Sequence, residues 1–193
     1  MNKARVKAGG GRETVGETWP RPDVGEVWRW LDGIPDPEIP AVSVVDLGMV
    51  RDVRWEHRGG KQELVVTVTP TYSGCPAASV IMRTIEHEIR ARGVEALRLE
   101  RRIAPPWTTD WISPKGRQRL EESGIAPPSG RAGAPSPFAR PALARLEGRV
   151  AAVTCPRCGS ENTMRISEFG STPCKAQYRC RECLEPFDYF KCI

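Results

Sequence analysis

Four cysteines near the C-terminus form the strongest chemical signal in the chain. Cys155-Pro-Arg-Cys158 and Cys180-Arg-Glu-Cys183 are two CxxC pairs with 21 residues between them. In each pair a tight turn aims two sulfurs at one point. Two such pairs supply four thiolates, a closed tetrahedral donor set for Zn²⁺. A segment of ~40 residues is too short to build an adequate core unaided, so metal binding would supply much of its folding free energy. Iron in a four-thiolate site, or an iron–sulfur cluster, uses the same donors, and both stay open at this point. Cys174 and Cys192 lie outside the two pairs. Each could be structural, a redox-active thiol or a ligand to iron.

The seventh cysteine stands apart, in the stretch Thr67–Ala78, TVTPTYSGCPAA. Strand-type alternation (Leu64, Val66, Val68) passes through a turn at Pro70, Ser73 and Gly74 into Cys75, with Pro76 and an expected helix behind it. At or just before a helix N-terminus, unpaired backbone N–H groups and the positive end of the dipole favour the thiolate. Pro76 suits the first helical position, where its missing N–H costs nothing. The same cysteine also reads as a small buried cap, and position alone leaves the two readings balanced.

Carboxylates and aromatics supply the other candidates. Ile34–Pro40 (IPDPEIP) has three prolines in seven residues, which forbids a regular helix or a central strand. It must be a rigid extended loop carrying Asp36 and Glu38; taken alone, it reads as a solvated turn. Asp46 follows, ahead of Leu47 and Gly48. In Pro105–Ile112 (PPWTTDWI), Trp107 and Trp111 flank Thr108, Thr109 and Asp110. Large aromatics beside polar groups suit docking or site lining. A lid folded back on the core is equally compatible with them.

The elements that must position these residues follow from periodicity. Val24–Leu31 is an expected helix with Asp23 as N-cap, Gly33 past its end, and Val27, Trp30 and Leu31 facing inward. Met49–Glu56 alternates with one step out of phase. His57-Arg-Gly-Gly marks a hairpin, and Glu63–Thr69 is the clearest strand. Ser79–Arg92 reads as an amphipathic helix whose apolar stripe is Val80 or Ile81, then Ile85 and Ile89, Val94–Arg102 as a returning strand, and Ser113–Ser123 as a short polar helix. The expected fold is α+β: a small mixed sheet with helices on one face, then a flexible linker and a C-terminal zinc-ribbon module. The expected divisions are a disordered tail at 1–22, the α+β domain at 23–112, a short helix and Pro/Gly-rich linker at 113–150, and the ribbon at 151–193. Phe187, Tyr189 and Phe190 alternate as the ribbon's last strand.

Composition bounds the function classes. No apolar run approaches the ~20 residues a membrane span needs, and the basic, Gly-rich N-terminus has no apolar segment of a secretory signal. A cytoplasmic location is therefore expected, where clustered cysteines read as metal or redox sites rather than a disulfide framework. The net charge of +5 sits in the tail and in residues 111–149, while 24–110 holds eleven basic and thirteen acidic residues. A nucleic-acid footprint would instead cluster basic residues on one folded face.

Three motifs carry a resemblance to a known family. DPEIP at 36–40, DLGMV at 46–50 and TPTYSGCP at 69–76 resemble the domain of iron–sulfur assembly proteins of the SufT and Fe–S carrier type. Those motifs span about residues 24–103. With PPWTTDWIS at 105–113 and the ribbon FGSTPCKAQYRC…CLEPFDYFKCI, the whole chain resembles the PaaD family, accessory subunits of the bacterial phenylacetyl-CoA epoxygenase. The resemblance places Cys75 on the family's functional cysteine and Asp36, Glu38 and Asp46 on its acidic positions. It implies a role in maturing an epoxygenase whose oxygenase component uses a di-iron centre and whose reductase carries flavin and a [2Fe–2S] cluster. Cys75 would then hold iron or a cluster transiently, with a homodimer bridged through that ligand as one form of the site. The ribbon would dock the oxygenase or reductase client. A structural interaction subunit without metal transfer, contacting its complex through Trp107, Trp111 and the ribbon, is the alternative. The chain's two histidines form no Glu-x-x-His set and no glycine-rich nucleotide fingerprint occurs, in keeping with an accessory protein rather than an enzyme.

Overall fold

The computed structural model describes residues 21–128 and 153–192. The expected N-terminal tail, save its last two residues, and most of the expected linker lie outside the described residues.

Helix α1 (Val24–Asp32) starts where the Asp23 carboxylate accepts the N–H of Glu26 at 2.7 Å, and it stops at Gly33. Val27 and Leu31 are fully buried; Trp30 is only half-buried and carries the Arg92 guanidinium 5.3 Å from its ring centre. Strands β1 (Val50–Arg58) and β2 (Lys61–Val68) form a hairpin through Gly59 and Gly60, at φ 58° and 77°. Two left-handed residues are what a tight hairpin turn requires. The out-of-phase step in β1 is a register shift between Val50 and Asp52.

Helix α2 (Ala78–Arg90) carries the chain over to β3 (Leu97–Arg101), which pairs parallel with β2. The sheet order is β1-β2-β3, a mixed sheet with β2 central, and Ile81, Ile85 and Ile89 are buried in the core it shares with α1 and α2. The opposite face carries an ion-pair lattice: Arg54 and Arg98 bridge Asp52, Glu56, Glu63 and Glu100 over the buried Val65. Those charged side chains are part-exposed, so each pair contributes little, but together they mark the face that no helix among the described residues covers.

Helix α3 (Pro114–Glu122) opens on Ser113, whose Oγ accepts the N–H of Gly116 at 2.8 Å, and its Leu120 joins the same core. Composition assigns the next residues to a linker, yet Ile125 and Ala126 are buried and form strand β4 (Ile125–Ala126). Two residues are too few to show a period, so the pattern around them reads as loop. Strand β4 pairs parallel with the last strand of the ribbon, whose meander is β5 (Thr163–Ser167), β6 (Lys175–Cys180) and β7 (Pro186–Phe190), in the order β4-β7-β6-β5.

Alternation along β4 and β7 locks the two modules together. Ala126 and Tyr189 face the ribbon's own small core, while their neighbours Ile125 and Phe190 enter the core of the first module. Cys174, one residue before β6, enters it too. No helix among the described residues is long and apolar enough to cross a membrane.

Candidate functional site

The two CxxC turns of the ribbon converge. Gly159 donates to Cys155 O at 2.9 Å with φ +74°, and Leu184 takes φ 64° in the second turn, where Cys180 N donates to Glu185 O at 3.0 Å. The four sulfurs of Cys155, Cys158, Cys180 and Cys183 all lie within 4.8 Å of one another. Two pairs stand at 3.8 Å (Cys155–Cys183) and 3.6 Å (Cys158–Cys180). A tetrahedron with metal–sulfur bonds of about 2.3 Å has sulfur–sulfur edges of about 3.8 Å, so the donor set fits a four-thiolate metal site. The N–H groups of Cys183 and Glu182 hold the Cys180 thiol low, while the neighbouring sulfurs push Cys158 and Cys183 up, as acidic groups crowded at one point must. Cys192 stays outside this cluster, with its sulfur 3.2 Å from the Tyr189 hydroxyl.

Cys75 lies in the turn between β2 and α2. Its N–H donates to Tyr72 O and its carbonyl accepts from Ala78 N, both at 3.2 Å. Helix α2 starts at Ala78, so Pro76 belongs to the preceding turn and not to the first helical position. The thiol is half-buried, and burial pushes it above the ordinary thiol value. The N–H groups of Ala77 and Ala78 do favour the thiolate, as a helix entrance should, but the carboxylates of Glu38 and Asp36 act against them. The net direction is therefore opposite to the one that helix position alone predicts.

The acidic loop whose charge acts on this cysteine is pinned down, not solvated. Asp36 is buried; its Oδ1 accepts the N–H of Glu38 at 2.9 Å and of Ile39 at 2.8 Å. Its own N–H donates to Val42 O at 2.9 Å, and Pro35 bridges Ser43. Burial raises the carboxyls of both Asp36 and Glu38; Lys175, from the ribbon, offsets part of this. Lys175 is itself buried and paired with Asp188 at 2.9 Å. Tyr72 has a buried hydroxyl that meets no partner in good hydrogen-bond geometry, the Cys75 thiol being a weak one beside it. Burial, reinforced by Cys75, Glu38 and Cys174, raises that phenol to about 12. Beside it, Thr69–Ser73, Ile103, Pro106 and Trp107 line a cleft of about 240 Å³.

The carboxylates of Asp36 and Glu38 act electrostatically on Cys75, whereas Asp46 is employed elsewhere. Asp46 accepts from Ser43 N (3.2 Å), Ser113 Oγ (3.1 Å) and Arg119 (2.7 Å), tying the loop before β1 to α3. Of the tryptophans, Trp107 folds inward: it is buried, its Nε1 donates to Leu47 O at 2.9 Å, and its ring meets Phe190 of the ribbon. Trp111 is half-buried under the Arg51 guanidinium, 3.5 Å from the ring centre. Tyr72 and Lys175 escape sequence reasoning. Tyr72 sits inside the Cys75 motif, which is the signal that could mark it; no local pattern points to Lys175.

Comparison with known proteins follows the same division. A family model described as "PaaD zinc beta ribbon domain" matches residues 139–191, and one described as "Iron-sulfur cluster assembly protein" matches residues 25–96. A protein of Escherichia coli (strain K12) named as a component of 1,2-phenylacetyl-CoA epoxidase is 46% identical over 172 residues, covering 89% of this chain and 94% of that protein. An Fe-S protein maturation auxiliary factor of Porphyromonas gingivalis (strain ATCC BAA-308 / W83) is 31% identical over 96 residues, covering 49% of this chain and 88% of that protein. Among solved structures, a domain of unknown function (DUF59) from Bacillus anthracis is similar at 26% identity and a TM-score of 0.45, covering 50% of this chain and 90% of that one.

Proposed function

The chain belongs to the PaaD family of 1,2-phenylacetyl-CoA epoxidase components, and we propose that it is a non-catalytic accessory protein that delivers iron or an iron–sulfur cluster to a phenylacetyl-CoA epoxidase. The observation that carries this reading is the pairing of Cys75 with a pinned acidic loop, apart from a four-thiol site that can satisfy its own metal. Four thiolates suit retention, and the ribbon's set suits a structural Zn²⁺. When bound, Zn²⁺ supplies cross-linking and no redox chemistry.

A protonated, half-buried thiol beside carboxylates suits exchange. At rest Cys75 keeps its proton, because burial, Glu38 and Asp36 all disfavour the thiolate. An arriving cation reverses that balance and releases the thiol proton. Loss of the cation to a better ligand set returns the thiol to its protonated state. The clients this reading names are the oxygenase and reductase components of the epoxidase.

Anaerobic purification of the full chain tests the reading. Elemental analysis should find about one zinc per chain from the ribbon, together with iron below one per chain and a sulfur-to-iron charge-transfer band. Cys75→Ser should keep the zinc and lose the iron and the band. Iron that is absent from the wild type, or unchanged in the variant, would leave a purely structural role as the reading.

A further inference from the structure

The stretch that leaves β3 puts apolar surface into solvent beside the Cys75 turn. Ile103 is 61% exposed, and Ala104, Pro105 and Pro106 are exposed after it. Single exposed apolar residues are ordinary, whereas a contiguous run marks a contact surface. No charge interrupts this run, and at its end Trp107 turns inward and is buried.

The run forms part of the wall of a cleft. Ile103, Pro106 and Trp107 line it together with Pro70, Tyr72 and Ser73, around a volume of about 240 Å³. Pockets for small ligands are larger, about 300–1,000 Å³, so this one suits a single apolar side chain. Tyr72 and Ser73 belong to the Cys75 turn: the Cys75 N–H donates to Tyr72 O at 3.2 Å, and Ser73 and Gly74 are exposed. A side chain seated in the cleft would therefore bring its own chain alongside that turn.

The rim is basic. Arg101 crosses from the end of β3 to the Cys75 turn, where its guanidinium donates to Ser73 O at 2.7 Å, and it forms no ion pair among the described residues. Arg102 reaches Glu100 only at 3.6 Å, and Glu100 is already held by Arg54 and Arg98. Two cations without a committed counter-charge beside an apolar cleft are complementary to a segment that joins an apolar side chain to carboxylates. A second copy of this chain fits worse, because a two-fold contact would bring Arg101 and Arg102 toward their own counterparts.

We propose that this cleft is the docking site for the epoxidase component that receives iron, and that it takes an extended acidic segment of that client with one large apolar side chain seated among Tyr72, Ile103 and Trp107. The proposal names the docking surface for the delivery role of Cys75 and rests on that reading for the identity of the partner. The surface lies on the first module, whereas the family resemblance assigns docking to the ribbon. A contact of one side chain and a charged rim is small, which suits a client that is held briefly and then released.

The test titrates the full-length, zinc-loaded chain by calorimetry with the purified oxygenase and reductase components of a phenylacetyl-CoA epoxidase in turn. One of them should bind the wild type, and more weakly as salt rises. Ile103→Ser and Arg101→Glu should each weaken that binding at least about tenfold, while Cys75→Ser leaves it unchanged. Both substituted side chains are exposed, so folding and zinc content should be kept. Ile103→Ser, which removes no side-chain hydrogen bond, decides the matter if Arg101→Glu disturbs the Ser73 turn. Wild-type affinity in Ile103→Ser would overturn the docking site and leave the role of Cys75 standing. Weakened binding in Ile103→Ser, with full client iron loading by Cys75→Ser, would keep the docking site and overturn delivery through that thiol. Self-association of the chain alone that Ile103→Ser abolishes would assign the surface to a second copy and overturn the proposal, as would no binding of either component.

Discussion

The ring of Trp107 and the ring of Phe190 lie 6.0 Å apart, tilted by 50°, and this contact joins the two modules. Trp107 follows the sheet of the first module and Phe190 ends the last strand of the ribbon. The indole is also anchored by its 2.9 Å hydrogen bond to Leu47 O. Trp107→Ala removes the ring contact, the bond and a large buried surface at once. A loss of about 3–5 kcal/mol is expected in denaturant unfolding, with both modules loosened. A loss under about 1 kcal/mol would mean that this contact does not hold them together.

Asp46 predicts an acid limb in the stability curve. Burial pushes its carboxyl up, but the Ser43 N–H, the Ser113 hydroxyl, Lys115 and Arg119 outweigh it and hold the group below the ordinary carboxylate value. A depressed folded-state pKa contributes stability above the unfolded value of about 3.9, and that contribution disappears as pH falls through the folded value. Asp46→Asn should therefore cost about 1–3 kcal/mol at pH 7, with the gap to wild type closing on acidification below about pH 4. Parallel unfolding curves for the two proteins from neutral pH down to acid would contradict the assignment.

Metal removal should act beyond the ribbon. Chelation leaves Cys155, Cys158, Cys180 and Cys183 uncompensated, and a small module of this kind depends on its metal for folding. Hydrogen exchange should accelerate across β5, β6 and β7, and Trp107 fluorescence should change as Phe190 leaves it. The β1–β3 sheet should keep its protection. Unaltered exchange in β5–β7 after complete zinc loss would show that the metal is dispensable there.

The influence of Glu38 on Cys75 makes a kinetic prediction. Thiolate is the reactive form, so alkylation of Cys75 by iodoacetamide should be slow at pH 7 and rise about tenfold per pH unit until the raised pKa is reached. Glu38→Gln removes one of the charges opposing the thiolate. The pKa should fall and alkylation at pH 8 should run several-fold faster. A slower or unchanged rate would separate Glu38 from the thiol.

How legible these features are in sequence depends on how local they are. The four converging thiols of the ribbon are encoded by two short turns, so their spacing alone reveals the cluster. The α1, β1, β2, α2, β3 order follows from periodicity, and the isoleucine stripe of α2 marks its buried face. The partners of Cys75 depend on chain segments that meet only in three dimensions. Asp36 and Glu38, whose charges act on it, lie nearly forty residues before it. Asp46 looks equally suited to that cysteine until Ser113 and Arg119 claim its oxygens. Trp107 could face out or in by composition, and only Leu47 O and Phe190 decide its direction. Strand β4 is too short to carry any pattern of its own.

Metal delivered to a client tests the central claim most directly. The full chain, or its Cys75→Ser variant, is produced together with the oxygenase and reductase components of a phenylacetyl-CoA epoxidase in a host lacking its own PaaD-family protein. Iron in each purified component is then measured alongside epoxidation. The account predicts that Cys75→Ser remains folded and zinc-loaded while client iron and activity fall together. Full iron loading and normal epoxidation with Cys75→Ser would contradict it.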